Sequence, residues 1–478
     1  MKATKIFMMA ALALMMIACS KDDFTEQPIE QPVDNNNKEI TITATLAPKG
    51  NDGMRAVADN GDDKITVTWA VDEHLAILYT KDGNQMADAR ITAVDDVTGA
   101  ATITFTVEGG TPDNTDCQIV YPLSAAKSDK SGVKAYADML ATQDGVLDGD
   151  LDVRVGAGKI QVTTPGLDVT TQPAAQYSIF KFTIQDLSST DKTATQFKLS
   201  DNSGNVITTV TPSSATGTLY VALPVLATGM YWFNATIDSK AYIAKATVST
   251  ATVAGKYYQS TVKMATVGDA ILSDGKFATK GTSGQQAVIV YVGTVDKYFN
   301  HFLAIALADA AYGVTWSAAL TAIGTYAGNH PITIGGTTYN NTNACISGYY
   351  DVVSDNNATT SATATTLHQG WRMPTVTDWR YLYAGIFGKS PTDPIGVNHG
   401  LEYSNSSSSG DDKSKILQVV SIKILKSYAV PGATIYNTWF SSEVTGNDGK
   451  AWDFEPDYCS FYYVEKTNTL NVVAVFAY

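Results

Sequence analysis

"EITITATL", Glu39 to Leu46, sets an apolar side chain at every second position: Ile40, Ile42, Ala44 and Leu46. A period of two with threonines between marks a strand that keeps one face in a core and the other in water. The pattern continues in "KITVTWA" (64–70), "EHLAILYT" (73–80), "ARITAV" (89–94), "ATITFTVEGG" (101–110) and "DCQIVYPLS" (116–124), spaced by Gly, Asp and Asn turns. A looser, Gly-rich stretch follows through about 127–175. A second set then runs "YSIFKFTIQDL" (177–187), "ATQFKLSD" (194–201), "GNVITTV" (204–210), "GTLYVALPVL" (217–226), "GMYWFNATID" (229–238), "AYIAKATVS" (241–249) and "AGKYYQSTVKMA" (254–265). Many short strands at this spacing predict antiparallel β-sandwiches.

Upstream of Glu39 the chain changes character. Residues 1–18 read as a secretory signal peptide: Lys2 and Lys5 precede an apolar run too short to span a bilayer as a helix. Cys19 follows Met16-Ile17-Ala18, a sequence that resembles the lipobox of bacterial lipoproteins. Only a thiol can carry the diacylglyceryl thioether, so Cys19 is the expected lipidation site. Each buried acyl methylene adds roughly 0.8 kcal/mol of anchoring to the outer membrane. Residues 19–38, polar and rich in Pro and Asn, form the lipidated tether. Their opening, Lys21-Asp22-Asp23, resembles an acidic signal for surface exposure.

The formal net charge is −14, and it becomes −16 once Lys2 and Lys5 leave with the signal. So acidic a chain makes nucleic acid a poor partner. Apart from Cys19 there are Cys117, Cys345 and Cys459, too few for a disulfide framework, with a Cys345–Cys459 bridge left open. The length of 478 residues predicts two to four domains.

The succession of Trp69-Ala-Val-Asp-Glu, Tyr121-Pro122, "LYVALPVL", "YWFNATID" and "AGKYYQSTVKMA" resembles the fimbrillin family, lipoprotein-derived subunits of type V pili. The resemblance implies two tandem transthyretin-like sandwiches, expected over 39–165 and 166–265. The remainder, 266–478, holds five of the seven tryptophans. Its "Gly370-Trp371-Arg372-Met373-Pro374…Asp378-Trp379" and "Trp439-Phe440-Ser441-Ser442" resemble a C-type-lectin-like module of the formylglycine-generating-enzyme-like and Fibrobacter-paralogous type. The expected fold is therefore mainly β: two antiparallel sandwiches, then an α+β lectin-like domain. Apolar positions at helical spacing predict a helix over 375–387, capped by Thr375 or Thr377.

One of only five arginines, Arg55, sits in the loop "PKGNDGMRAVADNG" (48–61), just after the first strand pattern. Taken alone it reads as a solvated loop charge. The family resemblance implies proteolytic processing between Arg55 and Ala56. Such a cut detaches strand 39–46 and leaves unpaired backbone and an apolar row, an edge that templates another subunit's strand. A head-to-tail contact of that kind propagates into a filament. Because the sequence closes on "NVVAVFAY", which reads as a core strand, a tip adhesin is expected rather than a stalk pilin.

The aromatics of the last region suggest a surface glycan or protein as ligand, although Trp371 and Trp379 occupy positions that build the core in the resembled module. "Glu455-Pro456-Asp457" resembles the calcium and sugar motif of C-type lectins, but its usual downstream element is missing. No metal or cofactor is therefore expected. His74, His301, His330, His368 and His399 lack metal-ligand spacing, and no nucleophile elbow or phosphate loop occurs, so the chain does not read as an enzyme. The alternative to a pilus subunit is a surface-tethered glycan-binding lipoprotein that never polymerises.

Overall fold

The computed structural model describes residues 39–49, 58–59, 65–294, 299–340, 351–353, 359–362, 369–375, 378, 381–382, 384–385, 438–444, 447–455 and 460–478. Strands dominate, gathered into three large sheets and two short ladders. The protein is mainly β, as its alternating patterns predict.

The first part of the chain contains β1 (Ile40–Leu46), a short ladder of β2 (Ala58–Asp59) with β3 (Ile65–Thr66), then β4 (His74–Thr80), β5 (Asn84–Val94), β6 (Ala101–Val107) and β7 (Thr115–Tyr121). A turn of helix α1 (Tyr136–Met139) and β8 (Thr142–Gln143) precede β9 (Arg154–Gln161) and β10 (Gly166–Ala175). Seven of these strands form one sheet in the order β1-β6-β5-β4-β7-β9-β10. Its two ends curl together: the Ala47 N–H donates to Gln172 Oε1 at 3.1 Å, from just past β1 to β10. The enclosed core gathers Ile42, Leu46, Trp69, Ile77, Ile103, Phe105 and Ile119. Alternation in β1 is complete, with Ile42, Ala44 and Leu46 buried and Thr41, Thr43 and Thr45 exposed.

The second sheet is built from β11 (Ser178–Asp186), β12 (Gln196–Asp201), β13 (Val206–Val210), β14 (Thr218–Leu223), β15 (Gly229–Ile237), β16 (Lys240–Val248) and β17 (Tyr257–Thr266). β8 joins it, pairing parallel with β13, and β11 runs parallel to β17. The sheets thus interlock across residue 165: β10, which follows it, belongs to the first sheet, whereas β8, which precedes it, belongs to the second. A layer of Leu123, Ala126, Leu140, Leu151 and Val153 fills the space between them, against Val120 of one sheet and Ile179 and Ala222 of the other.

The third part comprises β18 (Ala270–Leu272), β19 (Phe277–Ala278), β20 (Gln285–Val292), β21 (Phe302–Val314), α2 (Trp316–Asn329) and the hairpin β22 (Ile332–Ile334)–β23 (Thr337–Tyr339). It continues with β24 (Asp351–Val353), β25 (Thr359–Ala362), β26 (Gly370–Arg372), β27 (Thr438–Val444), β28 (Asn447–Glu455), β29 (Ser460–Glu465) and β30 (Leu470–Ala477). β30 is interior, bonded to β21, β26 and β27. Helix α2 lies over β21 and β30 and shares their core through Ala319, Ile323, Tyr326 and Ala327. That core runs on into the second sheet through Trp232, Ile243 and Ala265.

Candidate functional site

Of the residues singled out in the sequence, Cys19, Arg55 and Ala56 lie outside the described residues, as do Trp379, Cys345, Cys459, Asp457, His368 and His399. The strand that precedes Arg55 is described in full, and so is the groove that holds it.

β1 is an edge strand. It pairs antiparallel with β6 over its whole length, placing Ile42 opposite Phe105, Ala44 opposite Ile103 and Leu46 opposite Ala101. Small faces large at the last two pairs. Among the described residues no strand pairs with the other side of β1. Ile42 and Leu46 are wholly buried, and each such side chain contributes roughly 1.5–3 kcal/mol. Hydrophobic burial and one ladder of hydrogen bonds therefore hold the strand.

Beyond Leu46 the backbone is gripped three times. The Trp69 indole N–H donates to the Ala47 carbonyl at 3.0 Å, Arg154 Nη1 donates to the Lys49 carbonyl at 3.2 Å, and Gln172 Oε1 accepts from Ala47 N–H. The Lys49 side chain then turns inward. Its Nζ lies 4.0 Å from the Trp69 ring centroid and 3.9 Å from that of Tyr121. Those two rings meet edge-on, 88° apart, so they form a corner lined by π-faces. The same Nζ donates to Asp152 Oδ2 at 3.0 Å, and Arg154 Nε donates to both Asp152 oxygens at 2.9 and 3.0 Å. Lys49 and Asp152 side chains are fully shielded from water. Sequence reading missed this cluster. Lys49 and Asp152 are 103 positions apart, and an isolated lysine in a polar loop carries no local sign of burial.

The motif residues of the last region play internal parts. Trp371 is fully buried, and its indole N–H donates to the His330 carbonyl at 2.8 Å. Trp439 is buried likewise, donating to the Val314 carbonyl at 2.8 Å. Thr375 and Asp378 form a reciprocal cap: Asp378 N–H donates to Thr375 Oγ1, and Thr375 N–H to Asp378 Oδ2, both at 2.9 Å. Asp378 also holds Arg372 in a buried pair. His74 pairs with Asp88 at 2.6 Å, His301 is buried, and His330 stacks on Tyr326. Among the described residues no three His, Cys, Asp or Glu side chains gather as a metal site, and no helix is long and apolar enough to cross a membrane. Cys117 is a free thiol, pushed up to about 12 by burial.

No family model matches the chain, and no curated protein matches it. Solved structures give weak likenesses. A fimbrial protein from Bacteroides ovatus is 12% identical, covering 92% of this chain and 100% of its own, with a TM-score of 0.25. A fimbrial assembly protein from Parabacteroides distasonis is 10% identical over 47% of this chain and 90% of its own, with a TM-score of 0.27. The tip fimbrial protein Mfa3 from Porphyromonas gingivalis is 10% identical over 44% and 82%, with a TM-score of 0.22. At such values these likenesses decide nothing about this chain, and the functional reading rests on the groove.

Proposed function

We propose that this chain is a non-enzymatic pilus subunit, exported as a surface lipoprotein on Cys19 and anchored in the outer membrane until it is cut between Arg55 and Ala56. Cleavage frees β1, and a strand from another subunit takes its place by donor-strand exchange. The observation that carries this reading is the setting of β1: an edge strand, joined among the described residues through the β6 ladder alone, whose inner row completes a core. Its loss bares the outer edge of β6 and the apolar wall behind it, and such an edge recruits another strand. The fragment ending at Arg55 also contains Lys49, so the strand and the lysine that the corner holds leave as one piece.

Within the pilus, the subunit sits at the tip as an adhesin. Supporting this, β30 is embedded between β21 and β27 and is not a strand the protein could lend. The third part of the chain, lectin-like in its motifs, meets a host or microbial glycan or protein. The test is treatment of purified precursor with an arginine-specific protease, followed by mass spectrometry. The expected result is a fragment ending at Arg55 that is displaced by a partner's strand. A sandwich that keeps β1 against excess partner favours the tethered, non-polymerising lipoprotein instead.

A further inference from the structure

The contacts at the end of β1 divide into two kinds. Trp69 Nε1, Arg154 Nη1 and Gln172 Oε1 bind main-chain atoms of Ala47 and Lys49, and main chain is common to every strand. The corner of Trp69, Tyr121 and Asp152 binds a side chain, and it binds the charged tip of Lys49.

We infer that this corner is a cation-reading pocket that selects the incoming strand by a basic residue three positions after its last buried apolar residue. The inference rests on the strand-replacement reading above. It specifies the partner: a strand antiparallel to β6, carrying a large, a small and a large apolar residue at alternate positions, as Ile42, Ala44 and Leu46 do, then a lysine-like cation in the place of Lys49.

The charges support this assignment. With β1 gone, Arg154 still faces the Asp152 carboxylate, so that acid is not left as an isolated buried charge. The ring faces and the second bonding position on Asp152 Oδ2 are then vacated together. An ammonium group restores both at once, because aromatic faces attract cations most strongly where water is excluded. An apolar side chain of equal length fills the volume but forfeits the ring contacts and the charge-assisted hydrogen bond. An acidic one meets Asp152 head-on in a site sealed from water, where like charges repel strongly.

The experiment uses the native full chain cut with an arginine-specific protease. A labelled synthetic peptide of residues 39–49, "EITITATLAPK", is offered alongside versions bearing Lys49→Met and Lys49→Glu. The expected outcome is capture of the lysine peptide about tenfold or more tightly than the methionine version, with the glutamate version not captured. Equal capture of the lysine and methionine peptides overturns the pocket while leaving strand replacement intact. Capture of none overturns strand replacement and the selection with it. A second arm is independent of exchange: uncut Lys49→Ala protein should melt at a higher temperature in propylammonium chloride than in sodium chloride of equal concentration. Identical melting in the two salts overturns the corner as a cation site.

Discussion

The His301 imidazole lies flat on the Trp232 indole, with ring centroids 4.1 Å apart and planes 14° from parallel. Trp232 comes from the second sheet and His301 from the start of the third part, so the stack closes the joint between them. Asn202 Oδ1 accepts from both the Trp232 indole and the Tyr478 hydroxyl, each at 3.2 Å. His301 and Phe302 N–H groups donate to the Tyr478 carbonyl at 2.7 and 3.1 Å.

The joint should weaken in acid. Burial pulls the His301 imidazole from 6.5 down to about 4, against smaller opposing effects of the Asn202 carbonyl and Asp201. A lowered histidine favours the neutral folded form, so its contribution is complete above about 6.5 and is lost as pH falls toward 4, roughly 3 kcal/mol at most. Chemical denaturation between those limits should show a steeper loss for the native chain than for His301→Phe, which keeps the stack without the titration.

Leu46→Ala tests the proposed exchange of β1. In the precursor it removes buried volume opposite Ala101 and should cost about 2–4 kcal/mol. Under the proposed replacement of the fragment ending at Arg55 by a partner's strand, the same substitution should leave the melting temperature of the exchanged protein unchanged. A persistent deficit would mean that β1 never left.

Gln143 fastens the first part of the chain to the second sheet. Its side chain donates to the carbonyls of Leu140 and Ala222, each at 2.9 Å, and accepts from Ala222 N–H at 2.8 Å. Gln143→Leu leaves these buried groups unmet, and about 2–4 kcal/mol of stability should go with them, read as a lower denaturation midpoint.

Gly156 and Gly158 let β10 fold closely over β9. A Cβ at Gly156 would stand 2.6 Å from the Thr171 carbonyl oxygen, and one at Gly158 would stand 2.8 Å from that of Asp168. Both obstacles are backbone, so Gly156→Val should force β10 away from β9 and expose the edge near Gln172. Faster proteolysis within 166–175 checks this.

In the third part, Asp378→Asn should cost about 3–5 kcal/mol because it takes the negative partner out of the buried ion pair with Arg372. Thr375→Val removes only the cap and should cost about 1 kcal/mol. Differential scanning calorimetry of the two variants tests the ranking.

Much of this architecture is legible in the sequence, because one-sided burial writes itself as alternation. β1, β4, β6, β11, β14 and β15 all fall where the pattern places them. Of the two cap candidates that spacing offers, Thr375 and Thr377, Thr375 accepts from Asp378 N–H. The Gly-rich stretch before residue 175 was not legible, although it holds β8, β9 and β10. Glycines demanded by a close backbone crossing dilute the alternation, and Pro173 obscures an edge strand where a missing N–H is tolerated. Helix α2 was also unforeseen. Its "WSAALTAIGTYAGN" mixes small, β-branched and aromatic residues, and its helicity comes from docking on β21 and β30. The Lys49 corner was the least legible feature, since its members meet only after β7, β9 and the end of β1 have come together.

The exchange of β8 and β10 between neighbouring sheets has a mechanical consequence. The backbone passes from the first sheet to β8 in the second, returns to β9 and β10, and departs again into β11. Traction applied to the two ends therefore meets three strands of chain at that boundary instead of one peelable linker. Tensile load must shear the β8–β13 ladder and extract Gln143 before the halves can part.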